Sequence, residues 1–362
     1  GLGGLGWLGW LGWLAAGVSA RSSWRDRGSW VRLQERHPGL APGYAAHDGR
    51  GEDHGLRQGP DRPVALAPMT RLGVAIVHYR AEELCRECVH RLRSSSLSEF
   101  AAVIVDNGSD RPLEGFDDDS RFRLEAPGRN LGYAAGVNLA IERLPRSTPY
   151  VLLLNADVMV EPETIGSVLD LMEAEPEIGA ATCRLLLPSG GIDPACRRSE
   201  PTVVSALAKQ LGISRLFPTS RVLGRYNLTF LDADVAHDVD SGTGAFLMLR
   251  RSAFDEAGAR LDERYFLFGE DLDLCRRIRE AGYRIRYWPG VTALHVKGSG
   301  RVRDGRTTRH FYRAMWIYYR KWGRFRSNPF VLAGLVGALV TLGSAELARN
   351  AARRRLGTGV TA

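Results

Sequence analysis

The run Tyr150-Val-Leu-Leu-Leu154 constrains the fold more than any other stretch. Apolar at every position, it cannot alternate between core and solvent, so as a strand it must be covered on both faces, as inside a parallel sheet. The run stops abruptly at Asn155-Ala156-Asp157. An acid at the C-terminal end of such a strand stands where open α/β sheets hold their ligands. Asp157 is therefore a candidate to hold Mg²⁺ or Mn²⁺ against a nucleotide diphosphate, because these ions keep waters and substrate phosphates and need few protein carboxylates. The bland reading of Asp157 is an acid near a helix N-terminus. Asp232-Ala-Asp234 is a D-x-D by letter, but it follows no buried strand and is the weaker candidate.

Around this strand the signals alternate. Strands are predicted at 73–77, 101–105, 121–124, 178–187, 245–249 and 283–287. Helices are predicted at 81–92, after Gly136 on the Val137, Ala140, Ile141 and Leu144 face, after Pro162, and at 270–280. Alternation of this kind predicts an α/β fold with a doubly wound, mostly parallel sheet. The pattern loosens between Pro188 and Asp238. Residues 69–300 are read as one catalytic domain, with 69–187 as a nucleotide-binding half and 188–300 as the other wall of a cleft. Residues 1–68 are a Gly- and Trp-rich low-complexity extension, expected not to fold, and Met69 just ahead of the first strand is the expected native start.

Residues 301–362 are basic and aromatic. The His310-to-Trp322 stretch, followed by an apolar 330–342 segment shorter than the roughly 20 residues of a spanning helix, suits either a peripheral membrane contact or a helix packed on the domain. The formal charge of +8 favours acidic partners without choosing among nucleic acid, anionic lipid and phosphorylated substrates. Five cysteines, an odd number, argue against a disulfide framework, and Cys85-Arg-Glu-Cys88 falls on the helical face with Leu84, Val89 and Leu92. Gly1-Leu-Gly3-Gly-Leu-Gly6 follows no strand, and the turn His78-Tyr79-Arg80-Ala81 has no glycine, so a dinucleotide-binding dehydrogenase is disfavoured.

Several polar groups cluster at predicted strand ends. Asp106, in Val105-Asp-Asn-Gly-Ser109, can accept the N3–H of uracil or thymine, although Asp-Asn-Gly is also a good turn. The Gly128-Arg129-Asn130-Leu-Gly132 stretch opens a helix, and Arg129 can add a charge-assisted contact to phosphate there. Glu270 and Asp271 open a later helix behind an aromatic, glycine-broken loop, where the helix dipole favours acids whether or not they act. Asp273 can pair with Arg276 and Arg277 at helical spacing. His295 ends a strand before a Gly-rich loop and is either a ligand or a lone structural histidine.

Taken in order, these stretches resemble the family-2 inverting glycosyltransferases, within them the rhamnosyltransferase-like members. The resemblance rests on Val105-Asp-Asn-Gly-Ser109, Arg129-Asn-Leu-Gly-Tyr-Ala-Ala-Gly-Val-Asn138, Leu152-Leu-Leu-Asn-Ala-Asp157, Ser241-Gly-Thr-Gly-Ala-Phe-Leu-Met-Leu-Arg-Arg251, Leu261 to Cys275, and His295 to Gly298. It implies an A-type nucleotide-sugar-binding fold, a metal-bound diphosphate and single-displacement transfer. Carried onto this chain, it implies donor contacts at Tyr79, Asp106, Arg129, Asn130, Gly132 and Asn155, and acceptor contacts at Gly242, Thr243 and Gly244. Asp157 would hold Mg²⁺ or Mn²⁺ with His295 as a further ligand, Asp271 would be the general base, and Glu270 would contact the acceptor. The chain departs from an acidic pair in having Asn155, so His295 or the substrate phosphates must complete the metal's shell. The implied partners are a dTDP- or UDP-sugar donor and a lipid-linked or polysaccharide acceptor at the inner face of the plasma membrane, with no nucleic acid. A non-catalytic nucleotide-sugar-binding assembly protein is the alternative.

Overall fold

The computed structural model describes residues 70–297 except 112 and 117, residues 305–323, and scattered positions between 328 and 348. The expectations for 1–68 and the Met69 start, for the Gly298-Ser299-Gly300 loop and for part of the 330–342 segment lie outside the described residues. The described residues all belong to one compact unit.

Its centre is a nine-stranded sheet. Strand β1 (Leu72–His78), helix α1 (Glu82–Arg93), strands β2 (Phe100–Asp106) and β3 (Phe122–Glu125), helix α2 (Tyr133–Arg143) and strand β4 (Tyr150–Asn155) come first. Next are β5 (Val158–Val160), α3 (Thr164–Ala174) and β6 (Ile178–Leu186), then two short helices, α4 (Val203–Gln210) and α5 (Ile213–Leu216). Strands β7 (His237–Asp238) and β8 (Phe246–Arg250), helices α6 (Arg251–Glu256) and α7 (Glu270–Glu280), strand β9 (Arg284–His295) and helix α8 (Gly305–Trp322) complete the order. The strand order is β3-β2-β1-β4-β8-β6-β9-β5, with β7 on β9.

Strand β4 lies inside the sheet as its composition requires: Val151 to Leu154 are completely buried between β1 and β8. Burial on this scale stabilises by about 1.5–3 kcal/mol per large apolar side chain. The four strands from β3 to β4 are parallel. Beyond them β8 runs antiparallel to both β4 and β6, so the second half of the sheet is mixed. An apolar strand covered on both faces reads the same in either direction, which is why its sense was not visible in its residues. Strand β9 also runs on past Trp288-Pro289-Gly290, where the break expected at 287 becomes a shift in its register with β6.

Helix α1 buries Leu84, Cys85, Cys88, Val89 and Leu92, the face expected for packing. Burial pushes the Cys85 thiol up to about 12, so this pair is inert. Helix α8 packs against the loop before α7 and against α7 itself, burying Tyr312, Ala314 and Tyr318. Its His310 ring stacks on Phe266 at 4.5 Å between centroids. At its end, Trp322 Nε1 donates to Asp273 Oδ1 at 2.7 Å, and Lys321 Nζ lies 2.8 Å from the same oxygen. Part of the aromatic and basic C-terminal stretch is thus committed to the domain. No described helix is long and apolar enough to cross a membrane.

Candidate active site

The register brings His78 level with Asp106 and Val77 level with Asn155, so the C-terminal ends of β1, β2 and β4 share one edge. Tyr79, Asp106 and Asn155 all stand there. Asp106 is buried; its Oδ1 accepts the Ser109 N–H at 3.0 Å and its Oδ2 the Leu113 N–H at 3.2 Å. The carboxylate thus shapes its own loop, and each oxygen keeps a second lone pair. His78 is buried beside it. Its Nδ1 accepts the Ala81 N–H, which leaves the proton on Nε2, 3.1 Å from Ser109 Oγ. Tyr79 is partly exposed, with the Arg80 guanidinium 5.1 Å from its ring centre.

The Arg129-Asn130-Leu131-Gly132 loop is pinned to this edge by Asn107. Its Oδ1 accepts the Leu131 N–H at 2.8 Å, and its Nδ2 donates to Gly132 O at 3.0 Å and to Asn130 Oδ1 at 3.3 Å. Asn130 Oδ1 also accepts the Gly132 N–H, so Asn130 serves the loop, whereas Arg129 stays exposed. Two glycines are dictated by space as well as by a left-handed φ. A Cβ on Gly108 (φ +76°) would meet Arg129 C at 2.5 Å, and one on Gly132 (φ +87°) would meet Phe266 O at 2.6 Å. Phe266 O accepts the first N–H of α2, that of Tyr133, while Tyr133 Oη donates to Gly244 O at 2.8 Å. One residue therefore ties the two halves of the site together.

Asp157 occupies the turn between β4 and β5, and its carbonyl accepts the Val296 N–H. Val158 pairs with His295 across β5 and β9, which places His295 Nε2 3.5 Å from Asp157 Oδ1. The other ring nitrogen, Nδ1, lies 2.8 Å from Asp193 Oδ2, and Lys297 Nζ reaches Asp193 Oδ1 at 2.9 Å. Burial disfavours the charged imidazole, but the bonds to Asp157 and Asp193 outweigh it and raise its pKa to about 9. The arrangement offers one carboxylate and one imidazole, the latter held as a cation by its two acidic neighbours and able to ligate a divalent ion only after losing that proton. Among the described residues no group of three or more His, Cys, Asp or Glu is arranged to hold a metal. Asn155 Oδ1 is buried two residues away without a hydrogen-bond partner, an acceptor that a hydroxyl or amide donor would satisfy. The rival Asp234 is instead an exposed partner of Arg184, and Asp232 Oδ1 accepts the Asp234 N–H.

The other wall centres on Asp271. Phe268 (φ +73°) and Gly269 (φ +85°) turn the chain sharply into α7, and the non-glycine member of that pair carries backbone strain. Asp271 Oδ2 accepts from Arg198 Nη2 at 2.7 Å and from the Gly244 N–H at 3.3 Å, while Oδ1 accepts the Leu272 N–H. Arg198 is buried and also bonds Ser241 Oγ and Gly242 O. Burial works against its charge, but the Asp271 carboxylate outweighs this and raises its pKa. Gly242 packs on Thr182 and Leu247, and Thr243 Oγ1 accepts the Ala245 N–H. The Ser241-to-Gly244 turn thus positions Asp271 directly. It also leads into Ala245, whose carbonyl accepts the Asn155 N–H, so Asp271 and the Asn155-Ala156-Asp157 turn are joined by one short run of backbone.

Glu270 is buried, its Oε2 has no partner, and burial with the adjacent Asp271 charge pushes its pKa up to about 8. Asp273 pairs with Arg277 as expected, but Arg276 turns to Glu200 and Glu280. Residue pattern alone does not mark Arg198, Asp193, Asn107 or Tyr133 as site residues. Asn107 and Tyr133 lie within the motifs quoted above, whereas Arg198 and Asp193 fall in the non-periodic stretch after Pro188.

Residues 73–193 match the family described as glycosyl transferase family 2, and residues 213–347 match glycosyl transferase family group 2. The chain is 30% identical over 215 residues to an N-acetylglucosaminyl-diphospho-decaprenol L-rhamnosyltransferase of Mycobacterium tuberculosis, an alignment covering 56% of this chain and 69% of that one. It is 25% identical over 229 residues to the rhamnosyltransferase WbbL of Escherichia coli K12, covering 61% and 82%. It is 27% identical over 228 residues to the low-salt glycan biosynthesis hexosyltransferase Agl10 of Haloferax volcanii, covering 62% and 66%.

Proposed function

The chain belongs to glycosyl transferase family 2 as a rhamnosyltransferase-like member, and on that premise we propose that it moves a rhamnosyl group from a dTDP- or UDP-sugar to a hydroxyl of a lipid-linked glycan by inverting single displacement. The observation that carries this reading is Asp271, which opens α7 fixed by Arg198 and Gly244 beside the Asn155-to-Asp157 turn. In the reaction Asp271 takes the proton of the acceptor hydroxyl as its oxygen bonds the anomeric carbon, while the bond from that carbon to the diphosphate oxygen breaks and the nucleoside diphosphate leaves. A sugar hydroxyl is a poor nucleophile, so a held carboxylate is needed at that position. The Arg198 guanidinium, 2.7 Å from Asp271 Oδ2, fixes the orientation of the carboxylate.

On the donor side, Asp106 and Tyr79 are assigned to the base, Arg129 to the diphosphate and Asn155 to a donor hydroxyl. Asp157 and His295 would hold Mg²⁺ or Mn²⁺, which when bound offsets the charge that develops on the leaving diphosphate. Asp193 keeps the His295 ring turned with Nε2 toward Asp157. A lipid-linked acceptor, such as the one named for the mycobacterial relative, would be met at the inner face of the plasma membrane.

The test is nucleoside diphosphate release by the full chain from a panel of dTDP- and UDP-sugars, with Mg²⁺ or Mn²⁺ and a prenyl-diphosphate-sugar acceptor, and the anomeric configuration of the product read by NMR. Asp271→Asn is expected to abolish turnover while leaving donor binding within about twofold; near wild-type turnover overturns the assignment. Asp157→Ala should remove the metal dependence of donor affinity measured by calorimetry. If that dependence persists, Asp157 is not the metal residue.

A further inference from the structure

Between Ser199 and Asp240 the chain makes an excursion from the acceptor wall. It leaves directly after Arg198, and Ser199 clamps its return: Ser199 N–H donates to Tyr226 O at 3.0 Å and Ser199 Oγ to Arg225 O at 2.8 Å. The tip of the excursion, α5 with its flanking turns, carries Leu211, Leu216, Phe217 and Val222, each more than half exposed. These are half of the large apolar side chains exposed in the described structure, gathered within a dozen residues. Its charge is one-sided too. No acid occurs between Glu200 and Asp232, whereas Lys209, Arg215, Arg221 and Arg225 do, in a chain whose 49 basic residues are set against 41 acidic ones. Arg215, Arg221 and Arg225 are exposed, in or next to the same stretch of chain.

We propose that this tip, residues 211–222, is a membrane-docking element that inserts Leu211, Leu216, Phe217 and Val222 among the acyl chains of an anionic bilayer while Arg215, Arg221 and Arg225 meet the headgroup phosphates. Exposed apolar groups ringed by cations, without acids, are what an anionic bilayer surface selects. A second protein surface would bury the same apolar groups but gives no reason for the acid-free charge. The placement also has a use: the residue before Ser199 is the one that holds Asp271, so the element sets the base at a fixed height above the lipid. For that use the inference rests on the proposed lipid-linked acceptor, but its test does not.

The test is cosedimentation of the full chain with phosphatidylcholine vesicles and with vesicles containing one quarter phosphatidylglycerol. Wild type is expected to bind the anionic vesicles, less so at high salt. The variant Leu216→Ser/Phe217→Ser/Val222→Ser and, separately, Arg215→Glu/Arg221→Glu should each lose at least tenfold in binding. The control Val336→Ser/Val340→Ser, at two exposed apolar side chains elsewhere among the described residues, should lose little. Because the substituted side chains are exposed, folding is checked by an unchanged circular dichroism melt. A second readout is Phe217→Cys carrying an environment-sensitive dye, since the five native cysteines are buried; its emission should shift to the blue on anionic vesicles only. The proposal is overturned if wild type ignores anionic vesicles, if the tip variants bind as wild type does while the 336/340 control fails, or if the tip instead mediates self-association without vesicles. Loss of nucleoside diphosphate release with intact vesicle binding would defeat the proposed reaction and leave the docking element standing. Intact release to a water-soluble acceptor with no vesicle binding would do the reverse.

Discussion

The two walls of the site are built by different means. On the β1-β2-β4 wall, Asp106, Asn107 and Asn130 are fixed by bonds to backbone N–H and C=O groups of neighbouring turns, and the strands beneath are parallel and covered on both faces. On the opposite wall, Asp271 and Asp273 are held by charged side chains beside their backbone bonds, with Arg198 reaching across 73 positions to Asp271 and Lys321 reaching Asp273 from α8, and Glu270 Oε2 is left without a partner. A wall of backbone bonds tolerates the loss of one side chain by local repair. A wall of buried charges does not, because each partner removed strands an ion away from water.

The largest effect expected on stability therefore belongs to Arg198→Met. It leaves the buried Asp271 carboxylate without its cation, at a cost of about 3–5 kcal/mol. Urea denaturation followed by circular dichroism would measure it, and a loss under about 1 kcal/mol would erase the contrast between the walls. On the opposite wall Asn107→Ala removes three bonds to neutral groups; Asn130 is exposed and the Leu131 N–H only partly buried, so of the freed groups the Gly132 carbonyl alone is left buried. An expected cost of about 1–2 kcal/mol, with weaker donor binding, follows. The same denaturation series compares the two directly.

The third effect is read as a change of slope with pH. Glu270 titrates near 8 in the fold against an ordinary value of 4.5, so the folded chain holds this proton through a range in which the unfolded chain has lost it. The stabilisation is fully present below about 4.5 and is lost as pH rises toward 8. Glu270→Gln should flatten the fall in melting temperature between pH 5 and 8 and should melt higher than wild type at pH 8. Equal slopes would mean that Glu270 is ionised throughout.

The same difference between the walls decided how much was legible in the sequence. The nucleotide-side strands, α1, α2 and α7 follow from apolar periodicity, and Asp106 and Asp157 stand at strand ends where the pattern pointed. The short β5 was hidden because Val158-Met-Val160 follows the Asn-Ala-Asp turn at once and reads as part of it. Arg198 and Asp193 were hidden for a deeper reason. Their roles depend on long-range contacts with Asp271 and His295, and nothing periodic marks a loop residue whose partner comes from the far side of the sheet. Gly244 was legible only in part: its backbone N–H points to Asp271 and its carbonyl takes the Tyr133 hydroxyl.

Helix α8 has a consequence in time as well as in space. Asp273, two residues beyond Asp271 and wholly buried, receives Lys321 and Trp322 from the far end of α8. Since the chain is made from its N-terminus, the donor-side strands can assemble while the ribosome is still at work on the remainder. The bonds from Lys321 and Trp322 to Asp273 can form only once α8 has been made, so a nascent chain can gain its nucleotide wall first and this tie on the helix that carries the base later.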